Sequence, residues 1–214
     1  MKNIFFPAIF AGILISLGGI AYLKVGGLSG AILFAFGLAS VVNYKLPLFT
    51  GRAGFVKLNT NGLTELFVTW LGNLVGCALI GTLVGGGDAV LRECSAFAIS
   101  TRYCFDVAHV FFSGVLCGVI MTTAVKFASK GEYIPLLLGV PLFILCGFSH
   151  SIADLFYLSA MSFPMQFGFN IVVSYLAVFF GNFVGCNVPR IFGVQEYKKN
   201  LGIPSSFYSF QILL

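Results

Sequence analysis

The sequence predicts an all-α membrane protein of six transmembrane helices, built as a 3+3 inverted repeat with helices 2 and 5 broken at mid-membrane. Three observations lead there. Of its 214 residues, 58% are hydrophobic and 9% charged, with a mean hydropathy of +1.00, more apolar surface than water could accommodate. The hexapeptide Gly72-Asn-Leu-Val-Gly-Cys77 returns as Gly181-Asn-Phe-Val-Gly-Cys186, identical at five of six positions. Each copy follows an apolar segment that polar residues interrupt midway, near Pro47 and near His150.

Helix 1 is read from Ile4 to Leu23, an apolar stretch too long for a signal-peptide core. The link Lys24-Val-Gly-Gly27 is short, so helix 2, from about Leu28, returns antiparallel. It stops at Asn43-Tyr-Lys45, where Pro47 removes a backbone donor and disfavours helix at Leu46. Helix 3 is expected from about Leu63 to Val84, ended by Gly85-Gly-Gly87, and the polar stretch from Asp88 to Asp106 is expected as the longest loop with room for an interfacial piece. Helix 4 covers about Ala108 to Ala128. Helix 5 starts near Tyr133 and breaks at Phe148-Ser-His150, and helix 6 runs from about Phe167 to Ile191.

About 20 apolar residues span a bilayer, so the length holds these crossings and leaves no room for a soluble domain. The whole chain, 1–214, reads as a single transmembrane domain, with repeats at about 4–87 and 104–192 and a tail at 193–214. Since three helices make a unit, the second copy enters from the opposite face and the two breaks meet near the midplane. Basic residues cluster on one side: Lys2, Arg52, Lys57, Lys126, Lys130, Arg190, Lys198 and Lys199 against Lys24, Arg92 and Arg102, which sets both termini in the cytoplasm. The net charge of +5 therefore reflects topology, and no nucleic-acid partner is expected. The six cysteines show no metal-ligand spacing, so neither a metal nor a cofactor is expected.

The chemistry concentrates at His150, one of two histidines, inside apolar sequence that runs uncharged from Tyr133 to Leu145. A charged group there costs roughly 2.5 to 3.5 kcal/mol on insertion scales, which points to function. Histidine also moves a proton near neutral pH, so it could protonate a weak-acid anion, or impose its field on it, and let the neutral form pass apolar walls. Phe34, Leu38, Leu48, Phe49 and Phe143 fall in phase to make such walls. Asn73 and Asn182 either orient His150 or Thr50 or bond to neighbouring backbone, and Asp154 either pairs with Arg102 or caps the second half of helix 5. His109 reads as interfacial. A hydrolase using Ser149, Ser151 or Ser113 with His150 is disfavoured because neighbours on one segment point apart, so no enzyme is expected. The alternative within transport is a pore for a small neutral solute, its histidine never titrating.

These residues resemble the formate/nitrite transporters. Gly147-Phe-Ser-His-Ser-Ile-Ala-Asp-Leu155 is similar to the family's Gly-Phe-Glu-His-Ser-Ile-Ala-Asn-Met signature, Leu48-Phe-Thr50 to its Leu-Phe-Thr loop, and both Gly-Asn pairs fall where the family has them. The resemblance covers nearly the whole chain. It implies an aquaporin-like protomer in a homopentamer of the bacterial inner membrane, passing a small monovalent anion with a proton: formate or nitrite first, then hydrosulfide, acetate or lactate. By position it makes His150 the central histidine with Thr50 and Asn182 as companions, Leu38, Leu48 and Phe49 the cytoplasmic constriction, and Phe34, Met121 and Phe143 the periplasmic one. Ser149 replaces the usual glutamate, Gly118 an asparagine, Arg102 a lysine, and Lys45 and Pro47 a glycine and an acid. The missing carboxylate at Ser149 is expected to leave Arg102 uncompensated.

Overall fold

The computed structural model describes residues 4–162 and 168–193. Among them the chain forms helices only: α1 (Phe5–Val25), α2 (Gly27–Asn43), α3 (Phe49–Arg52), α4 (Thr60–Gly87), α5 (Ala89–Tyr103), α6 (Val107–Ala128), α7 (Ile134–Leu145), α8 (Ser151–Ala160) and α9 (Phe169–Ile191). The tail expected beyond Gly193, with Lys198 and Lys199, and the positions of Lys2 and Phe167 lie outside the described residues.

Four helices, α1, α4, α6 and α9, are long and apolar enough to cross a membrane by themselves, while α2, α7 and α8 are apolar but shorter. The bundle has an apolar flank and buries a set of polar groups within an otherwise apolar core. Thr50, Asn73, His150, Asp154 and Asn182 are buried, while Phe6, Phe36, Leu83 and Leu138 stand exposed on its flank. Such a surface is soluble in lipid and not in water, and its interior polar groups must be bonded within the protein. The molecule is a multi-pass membrane protein.

Helix α1 packs against α2 and α4, α6 packs against α7 and α9, and α8 joins the groups by lying on α4. Close approach is made by glycines of the repeated hexapeptide. A Cβ on Gly72 would meet Ala8 Cβ at 2.6 Å, and one on Gly76 would strike Ile9 O in α1. Gly181 and Gly185 face Phe111 O and Val115 O in α6 in the same way. Backbone-to-backbone contact of this kind maximises dispersion where lipid supplies no hydrophobic drive.

Two sequence expectations need correcting. Gly85-Gly-Gly87 ends the helix one turn later than expected, at Gly87 and not at Val84. It is the last turn of α4, where Gly85 abuts Ala160 so closely that a Cβ could not fit. The segment after Asp88 is also not a loop. Asp88 caps α5 by accepting from Leu91 N–H at 3.0 Å, and Leu91, Ser95, Ala98 and Ile99 form its buried stripe. A capping acid ahead of an apolar stripe is a helix start, which the high polarity of the stretch masked. The Lys24 ammonium also bonds Asp88, and with the Leu91 amide holds its carboxyl below the usual carboxylate range. Asp106 likewise caps α6 at His109 N–H, 2.8 Å away.

Gly185→Ala is expected to destabilise the protein by about 1–3 kcal/mol through overpacking against α6. Gly86→Ala, where a Cβ meets nothing within 4 Å, is expected to be neutral or to stabilise by up to about 1 kcal/mol through helix propensity. Thermal unfolding of the two variants in detergent checks the contrast.

Candidate functional site

Helical geometry lapses between Asn43 and Phe49 and again between Leu145 and Ser151, and each gap starts at exposed residues and ends buried in the bundle, at Leu48 and at Ser149 and His150. Backbone left unpaired there would cost several kcal/mol per group away from water. Two asparagines remove that cost. Asn73 Nδ2 donates to Pro47 O at 3.0 Å and to Ala8 O at 2.8 Å, while its Oδ1 accepts from Phe49 N–H at 2.9 Å. Asn182 Nδ2 donates to Ser149 O at 3.0 Å and to Gly114 O at 2.8 Å, and its Oδ1 accepts from Ser151 N–H at 2.7 Å. Each amide thus ties one gap to a long helix, α1 or α6, and neither is hydrogen-bonded to the His150 or Thr50 side chain.

The last residue of the hexapeptide ties the halves together. Cys77 Sγ lies 3.5 Å from Gly12 O and 3.4 Å from Ile152 O, and Cys186 Sγ lies 3.5 Å from Gly118 O and 3.3 Å from Thr50 O. Pro47, Phe49 and Thr50 thereby correspond to Ser149, Ser151 and Ile152 at one constant shift along the chain. On the same register Lys45, at φ 56°, answers Gly147, at φ 71°. Leu48 is then the counterpart of His150. Gly118 is required as glycine, since a Cβ there would sit 2.5 Å from Asn182 O.

His150 opens α8 and caps it: Nδ1 accepts from Ala153 N–H at 3.1 Å. A backbone amide can only donate, so in the neutral ring Nδ1 is bare and the proton is on Nε2. That nitrogen lies 2.9 Å from Thr50 Oγ1, in the α3 turn that follows the opposite gap, to which it donates. Neither ring nitrogen engages a serine. Ser113 Oγ instead accepts from Ser149 N–H at 3.0 Å. The hydroxyls of Ser149 and Ser151, on either side of His150, are buried without a protein hydrogen-bond partner.

Apolar side chains enclose the ring. Phe143 stacks on it at 5.6 Å between centroids, and Phe34 meets Phe143 edge-on at 6.1 Å. Leu38, Leu48, Phe49 and Met121 are each at most 1% exposed, and Phe49 is held by stacking on Phe179 at 4.6 Å. His109 is remote from this cluster, stacked on Phe105 at the start of α6.

Arg102 does not stand uncompensated. Its Nη1 donates to Asp154 Oδ1, Tyr103 Oη donates to Asp154 Oδ2 at 3.1 Å, and the guanidinium lies 4.8 Å over the Tyr157 ring. Asp154 therefore pairs with Arg102 and does not cap α8. The charge that Ser149 lacks reappears one turn into α8, and of the two roles open to Asp154 in the sequence the structure takes the pairing. Tyr103 and Tyr157 were given no role from the sequence, and Ser113 entered only as a disfavoured nucleophile. Cys77 and Cys186 entered only as the last residues of the hexapeptides and as cysteines without metal-ligand spacing, although their fixed place four residues after each asparagine was the available signal.

A family model described as formate/nitrite transporter matches residues 1–189. The formate channel FocB of Escherichia coli (strain K12) is 25% identical over 72% of this chain and 64% of its own length. The nitrite transporter NirC of Salmonella typhimurium is 29% identical over 67% of this chain and 59% of its own. The chain thus spans less than two thirds of the length of these relatives. A solved structure described as a pentameric formate channel with formate bound superposes with a TM-score of 0.77 at 22% identity, covering 92% of this chain and 96% of that one. Another, described as an FNT family ion channel, gives 0.75 at 21% identity over 94% and 90%. At such identities these two establish the fold.

Asn73→Ala and Asn182→Ala each strand one amide N–H and one carbonyl of a gap, and remove a second bond from a helix carbonyl that keeps its intrahelical partner. At about 1–3 kcal/mol per stranded group, each variant is expected to lose several kcal/mol of stability. Asn→Gln should not rescue, because the longer side chain misplaces both ends of the amide. Thermal unfolding in detergent reads this directly.

Proposed function

The chain belongs to the formate/nitrite transporter family, and on that footing we propose that it moves a small monovalent anion across the membrane together with a proton, through a pore centred on His150. Formate or nitrite is the first candidate, followed by hydrosulfide, acetate and lactate. The observation that carries the reading is the bond between His150 Nε2 and Thr50 Oγ1, which joins the two gaps between apolar constrictions.

The geometry suits a weak acid. A bare anion gains little from phenyl and leucyl walls, whereas its protonated form crosses them with a modest desolvation cost. Leu38, Leu48 and Phe49 close the cytoplasmic side of the path and Phe34, Met121 and Phe143 the periplasmic side. Between them, His150 Nε2–H, Thr50 and the unpartnered hydroxyls of Ser149 and Ser151 offer hydrogen bonds to the solute. For the ring to give up a proton from Nε2 it must first gain one at Nδ1, where Ala153 N–H now sits. Proton donation and release of the first turn of α8 are therefore coupled.

The architecture belongs to the same proposal. Six crossings form a 3+3 inverted repeat, with α2–α3 and α7–α8 as broken helices meeting at mid-membrane. The matched asparagine and cysteine bonds support it, because each contact in one half has its counterpart in the other. Asn73 and Asn182 support the pore wall, and Arg102 approaches it from α5. The protomers assemble as a homopentamer in a bacterial inner membrane, with both termini cytoplasmic and residues 1–214 forming a single domain.

The test is uptake of formate, nitrite, hydrosulfide and lactate into proteoliposomes over a pH series. Native protein is expected to show saturable uptake that rises as pH falls, because the proton is a co-substrate. His150→Phe keeps bulk but offers no Nε2–H, and is expected to lose the acid stimulation and roughly tenfold in rate, about 1.4 kcal/mol. Equal pH profiles in the two proteins would remove His150 from proton coupling.

A further inference from the structure

A cavity of 780 Å³ opens between α5, the start of α6 and the end of α7, reaching Cys146, Gly147 and Phe148 next to His150. Arg102 lines it, with a side chain 13% exposed, and on the other side meets Asp154, which is fully buried. A lone guanidinium here, in a low-dielectric cleft, would concentrate anions ahead of the histidine. This chain does not present one. Both oxygens of Asp154 are committed, one to Arg102 and one to Tyr103, and the guanidinium face is covered by Tyr157.

We propose that Asp154 is a specificity-determining counter-ion: it cancels Arg102, so that the approach to His150 carries no attracting charge and the pore admits its substrate as the neutral acid instead of gathering the anion. This rests on the reading of His150 as the centre of a pore for a formate- or nitrite-type acid. The groups facing Asp154 from the surrounding elements are Arg102 and Tyr103 on α5, Tyr157 on α8, Tyr175 on α9 and Cys117 on α6, with Tyr22 of α1 beyond Tyr157. Arg102 is the one cation among them. Glu93 and His109 are the other titratable side chains with the charge range to matter in the cavity lining, and Glu93 adds repulsion to an anion.

The family's signature carries asparagine where this chain has Asp154, so Asp154→Asn is a conservative way to free the guanidinium. The experiment is formate uptake by the full chain in proteoliposomes at neutral and acid pH, each at low and moderate concentration of an impermeant salt. Between about 0.01 M and 0.15 M the Debye length shortens from about 30 to about 8 Å, which mutes an attracting charge. Native uptake at neutral pH is expected to be indifferent to salt. Asp154→Asn is expected to raise neutral-pH uptake at low salt by up to roughly tenfold, the lower range of electrostatic focusing, to flatten the pH profile, and to lose the gain in salt. Native uptake that falls several-fold with salt would overturn the proposal, even if the variant fails to assemble. An assembled Asp154→Asn protein with the native pH and salt profile would overturn it as well. Absence of any formate, nitrite or hydrosulfide uptake by the native protein would sink the underlying reading and this proposal together, and is distinguishable from either of those results.

Discussion

Everything in this molecule depends on how non-helical backbone is carried inside an apolar bundle. Water is not available there to bond freed N–H and C=O groups, so the protein must bond each of them itself. The asparagine of each hexapeptide does this for one gap with three hydrogen bonds, and its third partner is a carbonyl of the helix against which that hexapeptide packs. The glycines at either side of it allow the approach that brings the amide within reach. Glycine, asparagine and cysteine at fixed spacing are therefore parts of a single device: contact, clamp and cross-tie.

With the backbone secured, the two gaps differ in the side chain each one holds. At positions matched by the asparagine and cysteine bonds one gap places His150 and the other Leu48, one polar and one apolar side chain. The histidine spends Nδ1 on the cap of α8 and keeps Nε2–H for Thr50. A neutral donor fixed by a helix cap costs less to bury than an ion. The same economy governs charge at the periphery, where Arg102 is buried with its carboxylate, a phenol and an aromatic face instead of being left to the cavity.

Much of this was legible in the sequence. The composition gave the membrane class, the repeated hexapeptide marked the positions that carry matched asparagine and cysteine bonds, and Pro47 and His150 marked where helix would lapse. Other features were not, for identifiable reasons. Gly85 to Gly87 read as a terminator because glycine disfavours helix by itself, but Ala160 against Gly85 makes the absence of a side chain favourable. The α5 helix was hidden by polar residues that cover one side of a buried stripe. The partner of Arg102 was undecidable, since residues 52 apart along the chain meet only when α5 docks on α8. A structure was also needed to see that both asparagines bond backbone and not the histidine, because an amide side chain fits either role equally well.

The measurement that tests the central claim most directly is the ratio of protons to formate entering liposomes that hold the native protein and a trapped pH dye, with the membrane potential clamped. The account predicts a proton for each formate and a flux that does not follow the imposed potential. Formate entry without protons, driven by an inside-positive potential, would contradict it.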